Sequence, residues 1–218
     1  MSLSINHYIA HPLLLLAALM ISGCESMYYK TMEQVGVHKR DILVDRVEGA
    51  RDAQQDGKEQ FQSALEKFSD MLNYSGGDLE ATYDKLNREY ENSQTKAERV
   101  SARIDDVENV AGDLFDEWDT ELDQYSSAQL RNSSEQKLRD TRRHYSQMIT
   151  AMRKAESKMA PVLAALKDQV LYLKHNLNAA AISSLQQEFS TIKVDISALI
   201  QEMETSIDEA DAFLQTLG

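Results

Sequence analysis

The chain has 218 residues, 27% of them charged, a formal net charge of −13, and only 8 Gly, 2 Pro and 1 Cys. So few breakers exclude an all-β fold, which needs a turn every 8–12 residues or so, and one cysteine excludes a disulfide framework or a cysteine-built zinc site. The acidic balance lacks the basic footprint of a general nucleic-acid binder, so no nucleic-acid partner is expected.

Residues 1–23 contain no Lys, Arg, Asp or Glu. The apolar run from Pro12 to Ile21 has the length of a secretory h-region and is too short to span a bilayer comfortably. It ends in Ile21-Ser22-Gly23-Cys24, which resembles a bacterial lipobox: an aliphatic residue, two small ones that fit the peptidase, then the cysteine that is acylated. Residues 1–23 therefore read as a signal peptide, with Ile21, Ser22 and Gly23 as its cleavage motif and Cys24 as the lipidated mature N-terminus. The n-region departs from the usual pattern, carrying only His7 and His11 and no Lys or Arg. The competing reading is an uncleaved anchor helix with an incidental Cys. Two or three acyl chains anchor stably where one does so marginally, so the expected partner is a membrane. Residue 25 is Glu rather than Asp, which by resemblance to Gram-negative lipoproteins places the chain on the periplasmic face of the outer membrane.

Residues 24–37 follow as a membrane-proximal tether. Met27, Tyr28, Tyr29, Met32 and Val35 suit either a short interfacial helix ending at Gly36 or a plain flexible connection. From residue 38 to 218 the apolar period is helical and reads as one long-helix coiled-coil domain.

The first helix, over 38–73, has the seam Leu43, Val47, Ala50, Gln54, Gly57, Phe61, Ala64, Phe68, Met71, with steps of four and three in strict alternation. Gly57 costs about 1 kcal/mol relative to Ala in a helix, so close packing must compensate. Residues 73–78 form the clearest turn, with Gly76 and Gly77 for a C-cap and Asp78 for the next N-cap. The second helix, over 79–124, continues the alternation through Leu79, Tyr83, Leu86, Tyr90, Ser93, Ala97, Val100, Ile104, Val107, Ala111, Leu114 and Trp118.

A polar stretch over 124–132 separates the third helix, over 133–177, which Asn132 and Glu135 would open as a capping box. Its seam is Leu138, Tyr145, Met148, Met152, Ala155, Met159, Val162, Leu166, Val170, Leu173, Leu177. The step from Leu166 to Val170 breaks the heptad, and Pro161 should kink the helix. Residues 176–184 read equally as a turn or as continued helix. Ser184 and Gln187 would cap a fourth helix running to the chain end through Leu185, Phe189, Ile192, Ile196, Leu199, Met203, Ile207, Ala210, Leu214 and Leu217.

Short connections favour antiparallel neighbours. The expected fold is all-α: an elongated antiparallel helical bundle or coiled coil of about four long helices. The middle pair is longest, about 70 Å. A turn near 76 pairs Leu43 with the region of Val107, and one near 180 pairs Ala155 with the region of Thr205. Neither outer helix then reaches residues 115–142, so the hairpin between helices two and three projects. Charge supports the register: 105–123 holds nine acids and no Lys or Arg, while Arg131, Lys137, Arg139, Arg142, Arg143, Arg153 and Lys154 crowd 131–154. Folding near 128 lays one run beside the other. In this topology the tip lies at the same end as the lipid anchor.

No catalytic constellation is legible. The one Gly-Lys pair, Gly57-Lys58, has Asp52 and Glu59 where a phosphate loop needs Gly and Ser or Thr. His38, His144 and His175 stand far apart, and Thr141 occupies the position where a Glu-x-x-His pair with His144 would need Glu. Trp118 lies on the seam and reads as core. Catalytic, metal and cofactor residues are therefore none, and no enzyme is expected.

Four stretches carry a family resemblance: Met32–Gln54 (MEQVGVHKRDILVDRVEGARDAQ), Leu114–Ser126 (LFDEWDTELDQYS), Leu138–Arg143 and Pro161–Ala179 (PVLAALKDQVLYLKHNLNA). The chain resembles a bacterial family known as domain of unknown function 2959 across essentially the whole mature sequence. The resemblance implies a cell-envelope lipoprotein with long helices and supplies no reaction, ligand or functional residue. The expected role is a non-enzymatic scaffold, spacer or adaptor with a protein partner, homo-oligomers being compatible. The alternative is a periplasmic chaperone-like module that opens at Gly57, Ser93 and Pro161 to bind lipid or another apolar ligand.

Overall fold

The computed structural model describes residues 38–72 and 78–217. The leader, the motif Ile21, Ser22 and Gly23, Cys24, the tether to residue 37 and the turn at 73–77 lie outside the described residues. Four helices occur in order: α1 Lys39–Leu72, α2 Leu79–Leu122, α3 Ala128–His175 and α4 Ala179–Leu217. No strand occurs among the described residues. The chain divides into two compact units, 1–42 and 43–218. Of the first, residues 38–42 are described; they open α1, with the His38 carbonyl accepting from the amides of Asp41 and Ile42. From Leu43 onward the four helices pack together within the second unit.

All nine α1 seam positions, from Leu43 to Met71, are buried. The heptad alternation found them because each faces the other helices once per half-repeat. Gly57 marks a close approach, at which a Cβ would need only the flexible end of Met203 to give way. A Cβ there would stand 2.8 Å from the Met203 methyl of α4 and 3.5 Å from Val100 of α2. α1 therefore closes against both helices at this point. Farther along, Phe68 stacks on Phe189 of α4 with ring centroids 6.3 Å apart.

Side-chain pairs fix the register. Lys96 of α2 reaches Asp56 of α1 at 2.8 Å, and Gln60 of α1 donates to Glu89 of α2 at 2.8 Å. Arg51 and Lys58 of α1 meet Asp211 and Glu204 of α4 at 3.1 and 3.6 Å. Lys154 of α3 meets Glu202 of α4 at 2.9 Å. One number rises as the other falls in these pairs along α1–α2 and α1–α4, in Arg142–Asp119 and Arg153–Asp105 along α2–α3, and in Lys154–Glu202 and Tyr145–Phe213 along α3–α4, so successive neighbours are antiparallel, in an up-down-up-down bundle. α3 packs along both α2 and α4.

Two sequence expectations about helix ends are corrected, and one left open is settled. α3 starts at Ala128, not 133, because Ser127 takes the N-cap and its hydroxyl accepts from the Leu130 amide at 3.4 Å. Asn132 and Glu135 are interior, and Glu135 instead pairs with Arg139 at 2.5 Å. The ambiguous stretch 176–184 resolves as a short break: Asn176 terminates α3, and the Asn178 carboxamide accepts from the Ala181 amide at 3.0 Å. Ser184 is thus not a cap; its hydroxyl donates back to the Ala180 carbonyl at 3.3 Å inside α4. α3 runs as one helix across Pro161. Its ring removes one donor, which a helix of 48 residues tolerates amid continuous packing.

The buried seams depart from the expected positions at three places. On α2 Phe115 is buried in place of Leu114; on α4 Ser206 and Phe213 are buried in place of Ile207 and Leu214. On α2 the 3.6-residue turn gains on a 3.5-residue repeat, so the deepest position slips by one; on α4 Ser206 and Phe213 keep the four-three alternation that runs from Leu185 to Leu217, which the polar Ser206 disguises. On α3, where the step from Leu166 to Val170 breaks the heptad, Gln169 is drawn into the core with both. Leu177, read as seam, is 45% exposed because the helix has already ended.

Candidate functional site

The hairpin made by the end of α2 and the start of α3 runs past the other helices. Tyr145 of α3 meets Phe213 of α4 with ring centroids 6.1 Å apart, and α4 ends four residues later at Leu217. From Tyr145 back to Ala128, α3 continues for about 25 Å. Over that length, among the described residues, its helix partners lie on α2.

The hairpin is held by its own contacts. At its base Phe115 stands edge-on to Tyr145 at 5.3 Å, and the Arg142 guanidinium lies over the Phe115 ring at 5.2 Å. Arg142 also donates to Asp119 at 2.6 Å and to the Phe115 carbonyl at 3.3 Å. Higher up, the Trp118 indole donates to the Ser134 hydroxyl at 2.8 Å. That bond explains why Trp118 is only half-buried although it lies on the seam: the ring spans the two helices with its polar edge engaged. Leu122 and Leu138 fill the remaining seam. Arg131 closes the loop onto Asp123 at 3.0 Å.

Charge links the arms as the two runs predicted, with the fold centred on the loop 123–127. Arg153 gathers three acids: Asp105 at 2.6 Å, Glu156 at 2.7 Å, and Glu108, which its Nε also reaches at 3.2 Å. The Glu108 contact chiefly raises the Arg153 pKa. Other bases pair within α3, Arg139 with Glu135 and Arg143 with Asp140.

At the tip the polar loop leaves two large apolar side chains in solvent, Tyr125 at 42% and Leu130 at 59% exposure. Glu121, Gln124 and Tyr125 border a shallow hollow there. Sequence reading passed over both residues because they fall off the heptad; an aromatic and a leucine stranded in a polar segment was the available signal.

The candidate chemical residues stay dispersed. His38, just before α1, and His175, at the end of α3, are exposed, and His144, within α3, is half-buried. No three His, Cys, Asp or Glu converge for a metal among the described residues. No described helix is long and apolar enough to cross a membrane.

Residues 28–217 match a family model described as a protein of unknown function, DUF2959. No curated protein matches the chain.

Proposed function

We propose a role from one established premise: the chain belongs to the DUF2959 family of proteins of unknown function. The protein is a non-enzymatic helical spacer or adaptor of the bacterial cell envelope, held to the periplasmic face of the outer membrane by acyl chains on Cys24. Its α2–α3 hairpin meets a protein partner. The observation that carries this reading is the projecting hairpin, braced from within by Trp118–Ser134 and Arg142–Asp119 and tipped by exposed Tyr125 and Leu130. A segment that needs no other helix for its own packing is free to bind something else, and exposed aromatic and aliphatic anchors are what protein interfaces use. The lipobox Ile21-Ser22-Gly23-Cys24 supports the anchor.

Two measurements test the reading. Mass spectrometry of the mature N-terminus should show acylated Cys24, and Cys24→Ser should release the protein from membranes; an unmodified thiol behind an intact leader contradicts the anchor. Photocrosslinkers at 125 and 130 in living cells should trap one defined polypeptide, while one at exposed Gln201 on α4 should not. Equal trapping from both places contradicts a tip-directed adaptor.

A second reading, a module that opens to take up lipid, is favoured by the core of the α1–α4 interface, where Gln54 and Ser206 are buried with no hydrogen-bond partner. Native mass spectrometry showing one lipid per chain would support it over the spacer.

A further inference from the structure

A trough of about 550 Å³ runs along the outside of the α2–α3 seam, away from the hairpin tip. Its size falls within the range of small-molecule sites. The floor is Ala97 and Met159, both buried, and the walls carry Tyr90, Ala160, Leu163 and Ala164. Alanines at these positions leave the space that larger seam residues fill elsewhere. Because α2 and α3 are antiparallel, Tyr90 and Lys167 mark one end, while Ser101 and Glu156 mark the other. Eleven residues separate Glu156 from Lys167 on α3, about 16 Å of helix.

The two ends differ in charge. Lys167 is exposed and makes no ion pair among the described residues. At the opposite end Glu156 is held by Arg153 at 2.7 Å, and Glu98 accepts from Gln94 at 2.9 Å. An apolar channel with a free cation at one end and carboxylates toward the other fits an oriented amphiphile. We propose that the α2–α3 trough binds a free fatty carboxylate, its chain along Ala97, Met159, Ala160 and Leu163 and its head at Lys167. The trough is reached from the surface, so binding neither requires the bundle to open nor rests on the spacer reading.

The test photolyses a diazirine-bearing dodecanoate with the full chain in phosphatidylcholine nanodiscs and maps the labelled peptides. Label should fall within 90–101 and 156–167 and be displaced by excess laurate but not by lysophosphatidylcholine. Ala160→Trp and Ala164→Trp fill the trough from exposed positions and should each abolish the label while leaving the thermal midpoint near wild type. Lys167→Glu should weaken laurate about fivefold, roughly 1 kcal/mol, and make dodecylamine the better competitor. Label elsewhere, or label that laurate does not displace, overturns the proposal. Displacement by lysophosphatidylcholine as effectively as by laurate overturns it in favour of a phospholipid, and unlabelled troughs crosslinked between two chains overturn it in favour of a second copy.

Discussion

Tyr145 of α3 and Phe213 of α4 meet edge-on, ring centroids 6.1 Å apart, at the level where the fourth helix gives out. Phe115 of α2 also meets Tyr145 edge-on, at 5.3 Å, so three helices share one aromatic layer. Phe213 is 1% exposed. Phe213→Ala should lower stability by roughly 3–5 kcal/mol, the range for deleting a buried aromatic ring. Urea denaturation followed by circular dichroism checks it.

The same layer sets a pH dependence. Burial, with nearby Glu108 adding to it, pushes the Tyr145 phenol up to about 12 from an ordinary 10.0. The folded state therefore favours the neutral phenol. Its contribution is complete below pH 10 and is lost as pH rises from there towards about 12, because the unfolded chain releases the proton first. Ultraviolet titration should find Tyr145 ionising late, and Tyr145→Phe should remove that step.

Arg153 ties α2 to α3 through Asp105 and Glu108 while also holding Glu156 on its own helix. The side chain is 34% exposed, so solvent screens much of this. Arg153→Gln should cost about 1 kcal/mol at low salt and less at high salt. Denaturant midpoints at two ionic strengths give the comparison.

Gln54 is fully buried and neither amide atom finds a partner. The ion pairs Arg51–Asp211 and Lys58–Glu204 bracket the stretch of α1–α4 interface that holds Gln54 and Ser206. Replacing a buried, unsatisfied amide by an apolar group of similar size removes a penalty of about 1–3 kcal/mol. Gln54→Leu should therefore raise the thermal midpoint; a fall would show that the amide is bonded in solution.

Much of this architecture was readable in the residues. The α1 seam was found at every position because a four-three alternation reports directly which side chains face inward. The antiparallel registers followed from turn positions, and Arg142–Asp119 and Arg153–Glu108 bear out the charge runs. The helix starts were less legible. Ser127 and Asn178 cap α3 and α4, yet Asn132 and Ser184 offered equally good capping chemistry a turn or more later. Where several polar residues cluster, packing beyond the cap decides. Leu114 lost its place to Phe115 through slow drift of the repeat, whereas Leu214 lost its place to Phe213 because a polar residue, Ser206, holds the seam position before it. The trough at Ala160 and Ala164 was invisible because absent volume leaves no periodic mark.

The projection of the hairpin is tested most directly by pulsed electron resonance between spin labels at Gln129 and Ala212, both exposed, in a Cys24→Ser background. Tyr145 and Phe213 touch, and sixteen residues of α3 separate Tyr145 from Gln129. A single narrow distance of about 25 Å or more is expected. A distribution centred below about 15 Å, less than two-thirds of that span of helix, would mean that the tip folds against α4 and would contradict a hairpin standing beyond the bundle.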